Sequence, residues 1–457
     1  MEHSLTLQQK IIAFIKLTIP VILTQFALTG GSFISIVLTG QYSTVDLAGI
    51  SVGYNLWTAC FYGISGVLLG ILPILAQLRG ANKIERIPTT ISHGFYVATI
   101  LGLVMILAGV FGLKPALNYL NLAPDAYEIC LAYMSAIGVG ILPLIWTCTL
   151  RNTVDSHGYT RYSMAIMLCG IALHILLDFG LILGYFGLPA LGGLGAGIAT
   201  AIAYWFNFLA FMALLAWGKP FRPYNLFKQW IPPQFIYIKE QFTIGIPIGL
   251  AIFCESSIFS VAGLVMTQYG TEIIAAHQAA VSFASLFYGF PLSISTAATI
   301  AVGYEVGAQK FGEAKTYSYI ARGIAIVVAI IISSYTFTHL DQIANLYTND
   351  PNMVSLIGTF LAYAVFFTII DAFGTPLQGV LRGYKDVKII STIAIACYWG
   401  ASVPIAAFFM YALDWGPYGV WMGLLGGVFV AVLGYIWRTW YIQTKKFNDA
   451  LLSRAGV

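Results

Sequence analysis

The sequence predicts an all-α integral membrane protein of 12 transmembrane helices, in two six-helix lobes related by a pseudo-twofold axis along the membrane normal. The first observation behind this fold class is composition: 59% of the 457 residues are apolar and 9% are charged, against about 25% charged in a soluble domain. The second is length, because roughly 20 apolar residues span a bilayer and about 12 such spans fit. The third is an internal duplication. A soluble globular protein is excluded, and nucleic-acid binding is not expected.

Twelve apolar runs are long enough to cross a bilayer. They cover residues 11–38, 46–74, 90–113, 126–150, 160–184, 193–217, 239–266, 273–300, 316–340, 353–378, 388–412 and 417–440. The first run imitates a signal peptide, but it continues to about Leu38 without a small-residue cleavage site, so we interpret it as a retained span. The six cysteines are scattered singly, without metal-ligand spacing, and are interpreted as packing residues.

The basic residues indicate one orientation. With this numbering, 21 of the 22 Lys and Arg residues, from Lys10 to Arg454 and including Lys228, fall on one side of the membrane, and only Lys114 falls on the other. Cytoplasmic loops are enriched in Lys and Arg. We therefore expect both termini in the cytoplasm and the protein in the bacterial cytoplasmic (inner) membrane.

The duplication divides the spans six and six. A shift of 227 residues superposes Ile19-Pro20 on Ile246-Pro247 and Gly80-Ala81-x-Lys83 on Gly307-Ala308-x-Lys310; at a slightly shorter shift Gly158-Tyr159 meets Gly383-Tyr384. We predict an N-terminal lobe at 1–217, a cytoplasmic linker at 218–241 and a C-terminal lobe at 242–457. Because both copies enter the membrane from the same side, a cavity is expected between them.

The chemistry of common enzymes is missing from the sequence. The nearest match to a nucleotide-binding loop, Gly307 to Gly312, is followed by Glu313 and Ala314 where Lys and Ser or Thr are required. There is no HExxH or Gly-x-Ser-x-Gly motif either. We predict that the protein is not an enzyme and needs no cofactor.

Three acidic residues lie inside predicted spans: Asp178, Glu255 and Asp371. A carboxylate at the centre of a span costs about 2.5–3.5 kcal/mol, so such groups face a bundle interior, a partner or water. Glu255 and Asp371 belong to the same half, and a shared cavity would make them hold protons or a small cation. The alternative is a hydrogen-bonded structural acid, which for Asp178 is favoured by His174 one turn earlier.

Two further features bear on mechanism. Pro247, two turns before Glu255, could link carboxylate occupancy to helix shape, or could simply kink the helix for packing. Tyr54, Trp57 and Phe61 share one face of the second span and could form a cation-π wall, although core packing explains most such aromatics.

Four stretches of the sequence have a recognisable pattern: Leu381-Arg382-Gly383-Tyr384-Lys385-Asp386, Ala275-Ala276-His277-Gln278, Phe290-Pro291 and the glycine-rich stretch from Gly192 to Thr200. They resemble motifs of the multidrug and toxic compound extrusion (MATE) family, and of its bacterial NorM-like branch in particular. The resemblance covers nearly the whole chain. It implies two six-helix lobes that export cationic, amphipathic drugs in exchange for Na⁺ or H⁺.

The resemblance also implies site residues. Glu255 and Asp371 fall on the family's cation-site acids, which would be the Na⁺ ligands if sodium is the coupling ion, and Tyr288 falls near them. Ser35 stands where proton-linked members carry an Asp, which favours coupling in the second half. Asn55 and Gln278 are expected to line the cavity; together with Ser35, Asp178 and Trp57 they are the candidate substrate residues.

The leading hypothesis is therefore a secondary antiporter that works by alternating access. Its partners would be organic cations, the coupling ion and membrane lipid, and we expect a monomer. A flippase for lipid-linked precursors, of the same wider superfamily, would instead need a basic central cavity, and no Lys or Arg lies in the middle of a predicted span. An intramembrane enzyme would have to rely on His174 and Asp178.

Overall fold

The computed structural model describes residues 6–120, 122–226, 231–348 and 350–446. Lys228, part of the predicted linker, and Arg454 lie outside these residues. Within them, 12 helices are long and apolar enough to cross a membrane. We number them α1 to α12: Leu7–Tyr42, Thr44–Gly80, Arg86–Tyr119, Pro124–Ser156, Thr160–Leu183, Gly192–Trp217, Phe235–Tyr269, Thr271–Gly307, Phe311–Thr338, Pro351–Gly383, Val387–Ala412 and Pro417–Lys445. The predicted all-helical membrane fold is confirmed.

Local signals explain where several helices begin and end. The Ser43 side chain accepts a hydrogen bond from the Asp46 backbone N–H and caps α2, and Asp350 caps α10 in the same way. Proline occupies the first helical position of α4, α10 and α12, where its missing N–H costs nothing. Gly184 ends α5 with a left-handed backbone at φ 81°.

The two halves repeat at the level of helix boundaries. Thr44 and Thr271, Pro124 and Pro351, and Thr160 and Val387 each begin helices and lie 227 residues apart. Left-handed backbone conformations recur at the same spacing, at Asn82 and Gln309 and at Gly158 and Lys385. The structural equivalent of Gly158 is therefore Lys385. The predicted match of Gly158 with Gly383 was wrong, because Gly383 still belongs to α10.

The chain forms two compact units. The N-terminal unit comprises Leu23–Leu78 and Lys83–Gly249, and the C-terminal unit comprises Met1–Ile22, Arg79–Asn82 and Leu250–Val457. Helices α1 and α7 pass from one unit to the other two or three residues after the repeated Ile-Pro pairs. The lobe boundaries predicted from the sequence stay a prediction.

Each unit has its own apolar core. In the C-terminal unit, Phe14 from the start of α1 is 1% exposed and packs among residues of α8, α9 and α10, including Ile294, Ala321 and Val380. In the N-terminal unit the core brings together α1, α2, α3, α4, α5 and α6, for example through Leu38, Val97 and Ile182.

Several helices extend beyond the predicted spans. The fourth span, predicted at 126–150, runs over Pro124–Ser156, and the tenth, predicted at 353–378, runs over Pro351–Gly383. A helix does not stop where the apolar run stops, because its backbone hydrogen bonds continue as long as neighbouring helices bury the added turns. One consequence is that Arg382 lies inside a helix and not in a loop.

Candidate functional site

The C-terminal unit brings Glu255, Asp371 and Tyr288 together. Glu255 on α7 is 7% exposed and Asp371 on α10 is 3% exposed, and their carboxyl groups lie close enough to interact electrostatically. The Tyr288 hydroxyl on α8 donates to Glu255 Oε1 at 3.0 Å. The three residues from three helices therefore form one polar group, in which both carboxyl groups are buried and Tyr288 is half-buried; we call it the acid pair site.

Further polar groups complete this site. Gln378 Nε2 lies 3.5 Å from Glu255 Oε2, and the Thr375 hydroxyl donates to Asp371 Oδ1 at 2.7 Å. Both belong to α10, one and two turns after Asp371. The site thus offers four carboxylate oxygens together with hydroxyl and amide groups. Hard oxygen donors of this kind are suited to a proton or an alkali cation.

Aromatic residues surround the acid pair site. The Phe259 and Phe367 rings, each one helical turn from one of the acids, meet with centroids 5.1 Å apart and hold α7 against α10. Tyr398 on α11 and Tyr435 on α12 are almost fully buried and interact electrostatically with both acids. These surroundings separate the carboxyl groups from bulk solvent and strengthen their mutual repulsion.

Prolines interrupt the helices that carry this site. Pro247 lies in α7, Pro291 in α8 and Pro376 in α10, and each removes one backbone hydrogen bond. Helix α11 instead has π-helical turns at Ile395–Ala401 and Phe408–Ala412, an irregularity often found at functional sites.

The other predicted residues lie elsewhere. In the N-terminal unit the Ser35 hydroxyl donates to Asp178 Oδ2, His174 Nε2 lies 3.6 Å from the same carboxylate oxygen, and His174 also contacts the Thr200 hydroxyl at 3.1 Å. Asp178 is fully buried. Ser35, the position at which the resemblance to proton-linked members would place an Asp, therefore still contacts a carboxylate, which is supplied by Asp178 of α5.

This polar group borders a cavity of about 120 Å³. Ser35, His174 and Thr200 form one part of its wall, and aromatic rings form another; these are Tyr54, Trp57, Tyr133 and Tyr204. Asn55, which was expected to line a cavity, is not one of the described residues that line this one; it is exposed on α2. Gln278 is exposed on α8, beside the buried His277.

Sequence reasoning missed five groups around the two acids, namely Thr375, Gln378, Arg382, Tyr398 and Tyr435. Arg382 is 3% exposed, and its guanidinium interacts electrostatically with Glu255. It lies in the last turn of α10, so the structure departs from the predicted position after the span and not from the expectation that the middle of each span lacks Lys and Arg. Gln378 and Arg382 could have been found, because they follow Asp371 by seven and eleven residues on the same helix face.

Comparison with known proteins agrees with this architecture. The MatE family model matches residues 20–179 and 247–408. A probable multidrug resistance protein NorM of Oceanobacillus iheyensis is 39% identical over 445 residues, which cover 97% of this chain and 100% of the relative. The protein of the same name from Bacillus subtilis is 37% identical over 97% of this chain and 98% of its own length.

Solved structures share the fold. A multidrug resistance MATE family transporter of the MOP superfamily, described in an outward-facing conformation, superposes with a TM-score of 0.87 at 20% identity, over 96% of this chain and 97% of that chain. A eukaryotic MATE transporter superposes with a TM-score of 0.83 at 19% identity, over 97% and 99%. The chain is an integral membrane protein and belongs to the multidrug and toxic compound extrusion family of transporters.

Proposed function

We propose that this transporter is an antiporter that exports lipophilic organic cations in exchange for Na⁺ or H⁺, and that the coupling ion binds at the acid pair site. The observation that carries the proposal is the burial of Glu255 and Asp371 within electrostatic range of each other in the C-terminal unit. Two buried carboxylates repel each other and lose their hydration. Binding one small cation or protons offsets the free-energy cost of burying these two negative charges.

Exchange requires that ion and drug favour different conformations. A ligand that binds both states equally moves no equilibrium, however tightly it binds. Prolines in the three helices that carry the acid pair site provide positions at which these helices can bend. A change in the charge of the carboxylates can therefore change the bend of the helices.

We further propose that the N-terminal cavity takes the cationic group or one ring of the exported drug. Its volume of about 120 Å³ is below the roughly 300–1,000 Å³ of a whole drug pocket. The rings of Tyr54 and Trp57 offer cation-π contacts, and Asp178 next to the cavity supplies negative charge.

The basic ends of the helices are proposed to face the cytoplasm of a bacterial cell. The strong bias of Lys and Arg to one side supports this orientation, and the bacterial relatives support the cytoplasmic membrane as its location. A reporter enzyme that is active only in the cytoplasm, fused after the last residue, should be active; an inactive fusion of a correctly inserted protein would reverse the orientation.

Ethidium efflux from proteoliposomes tests the coupling. We expect efflux to follow an imposed Na⁺ or pH gradient. In the Glu255→Gln and Asp371→Asn variants, the gradient-driven rate should each time fall by a factor of at least about ten. Glu272→Gln is the matched control, because Glu272 is an exposed acid in the first turn of α8. Undiminished gradient-driven efflux in both acid variants would remove the acid pair site from the mechanism.

A further inference from the structure

One face of α10 carries a continuous row of buried polar side chains. Asp371, Thr375, Gln378 and Arg382 follow one another at intervals of four, three and four residues, which places them on the same side of a helix. Helix α8 packs directly against this face. The Ser295 hydroxyl donates to the Thr375 carbonyl at 2.7 Å, and the Thr299 hydroxyl donates to the Gly379 carbonyl at 3.0 Å.

Arg382 ends this row at the basic end of the helices, and among the described residues no carboxylate lies within ion-pair distance of its guanidinium. Its Nη2 donates to Ser295 Oγ at 2.5 Å, and its Nε has no hydrogen-bond partner among the described residues. The acid one turn further along the chain, Asp386, is bound through both carboxylate oxygens by Arg438, at 2.5 and 3.1 Å. Among the carboxylates of the described residues, Glu255 is the one that interacts electrostatically with the Arg382 guanidinium, at a longer range.

The repeat makes this arginine specific to one half. Helices α4 and α10 have the same length of 33 residues, and the position equivalent to Arg382 is Asp155. Asp155 is also buried, at 2% exposure, and its partner is Arg151 on its own helix, at 3.6 Å. The charge at this position is therefore reversed between the halves. The half with the buried arginine is also the half that carries Glu255, at the position equivalent to Leu28 of the first half.

We propose that Arg382 is a positioning residue that sets the affinity of the acid pair site for the coupling ion, an inference that rests on the function proposed above. In the ion-free protein its positive charge compensates Glu255, which would otherwise be an unpaired buried charge. When the coupling ion arrives, two cations compete for the same carboxylate. The bound ion is thereby held weakly enough to leave again, as every transport cycle requires.

Neutral substitutions of Arg382 test this role. In the Arg382→Gln and Arg382→Met variants the acid pair should bind the ion about tenfold more tightly, because a nearby positive charge has been removed. Maximal efflux should fall, because the ion is released more slowly. Binding is measured on the purified full-length protein in detergent, as uptake of radioactive Na⁺ and, separately, as proton uptake after a pH jump. Arg382→Lys keeps the charge and should restore an affinity close to that of the natural protein.

Lys388→Gln serves as the control, because Lys388 is exposed at the same end of the molecule and water screens its charge. A merely structural arginine would weaken ion binding when replaced, so weakened or unchanged affinity in both neutral variants would overturn the proposal. The same holds if neither neutral variant folds while Arg382→Lys binds normally. If Glu255→Gln and Asp371→Asn still bind the ion like the natural protein, the proposed function itself fails, whatever Arg382 does.

Discussion

At the scale of single residues, the acid pair site depends on groups that bind the carboxylates and not on the carboxylates alone. Tyr288 is the clearest example, because its hydroxyl donates directly to Glu255 Oε1. A hydrogen bond to a charged group contributes about 1.5–3 kcal/mol. If the coupling ion binds here as proposed, this hydroxyl contributes to how firmly the site holds it.

Replacing this tyrosine should change the ion dependence of transport. We expect Tyr288→Phe to shift the ion concentration that gives half-maximal ethidium efflux by about tenfold, with the protein still inserted. The control is Tyr335→Phe, since Tyr335 is 61% exposed on α9, whereas Tyr288 is hydrogen-bonded to Glu255. An unchanged ion dependence in Tyr288→Phe would show that this hydrogen bond plays no part in ion binding.

At the scale of helices, the close contact between α8 and α10 holds the polar row of α10 in place. Gly379 permits this contact, because a Cβ atom there would overlap the carbonyl oxygen of Ser295. Gly323 on the neighbouring α9 is exposed, and a Cβ atom there would have no neighbour within 4 Å.

Alanine at these two glycines should therefore have opposite effects. Gly379→Ala is expected to lower the midpoint of thermal unfolding in detergent, because overpacking costs about 1–3 kcal/mol. Gly323→Ala should leave the midpoint unchanged or raise it slightly, since alanine favours a helix by up to about 1 kcal/mol over glycine. Equal midpoints for the two variants would contradict the described packing of α8 and α10.

Helix positions were predictable from the sequence, whereas helix ends and cross-helix partners were not. Twelve apolar runs predict twelve spans because the bilayer excludes unsatisfied backbone groups. The burial of Arg382 was not predictable from hydropathy, which ends the span at the first charge. Asp178 similarly appeared to pair with His174 alone, because nothing in sequence spacing brings Ser35 of α1 beside α5. Tyr398 and Tyr435 reach the acids only through the packing of α11 and α12.

At the scale of the whole molecule, the proposed function places ion and drug in different units. The acid pair site belongs to the C-terminal unit and the aromatic cavity to the N-terminal unit. Drug binding and ion binding should therefore be separable by substitution, even though each cycle couples them.

The aromatic cavity provides the test of this separation. We expect Trp57→Ala to raise the ethidium concentration for half-maximal transport by about tenfold, the contribution of a desolvated cation-π contact, while the ion dependence stays the same. Trp217→Ala is the control, because Trp217 is 79% exposed at the end of α6. A Trp57→Ala variant with unchanged ethidium affinity would exclude this cavity as the drug site.

The competition between ion and drug is the most direct test of the antiport mechanism. If each ligand favours a different conformation, raising Na⁺ or H⁺ must weaken ethidium binding to the purified protein, and ethidium must release the bound ion to the same extent. We expect this competition in the natural protein and its loss in Glu255→Gln and Asp371→Asn. Ethidium affinity that is independent of both ions in the natural protein, or competition that survives in both acid variants, would contradict the account.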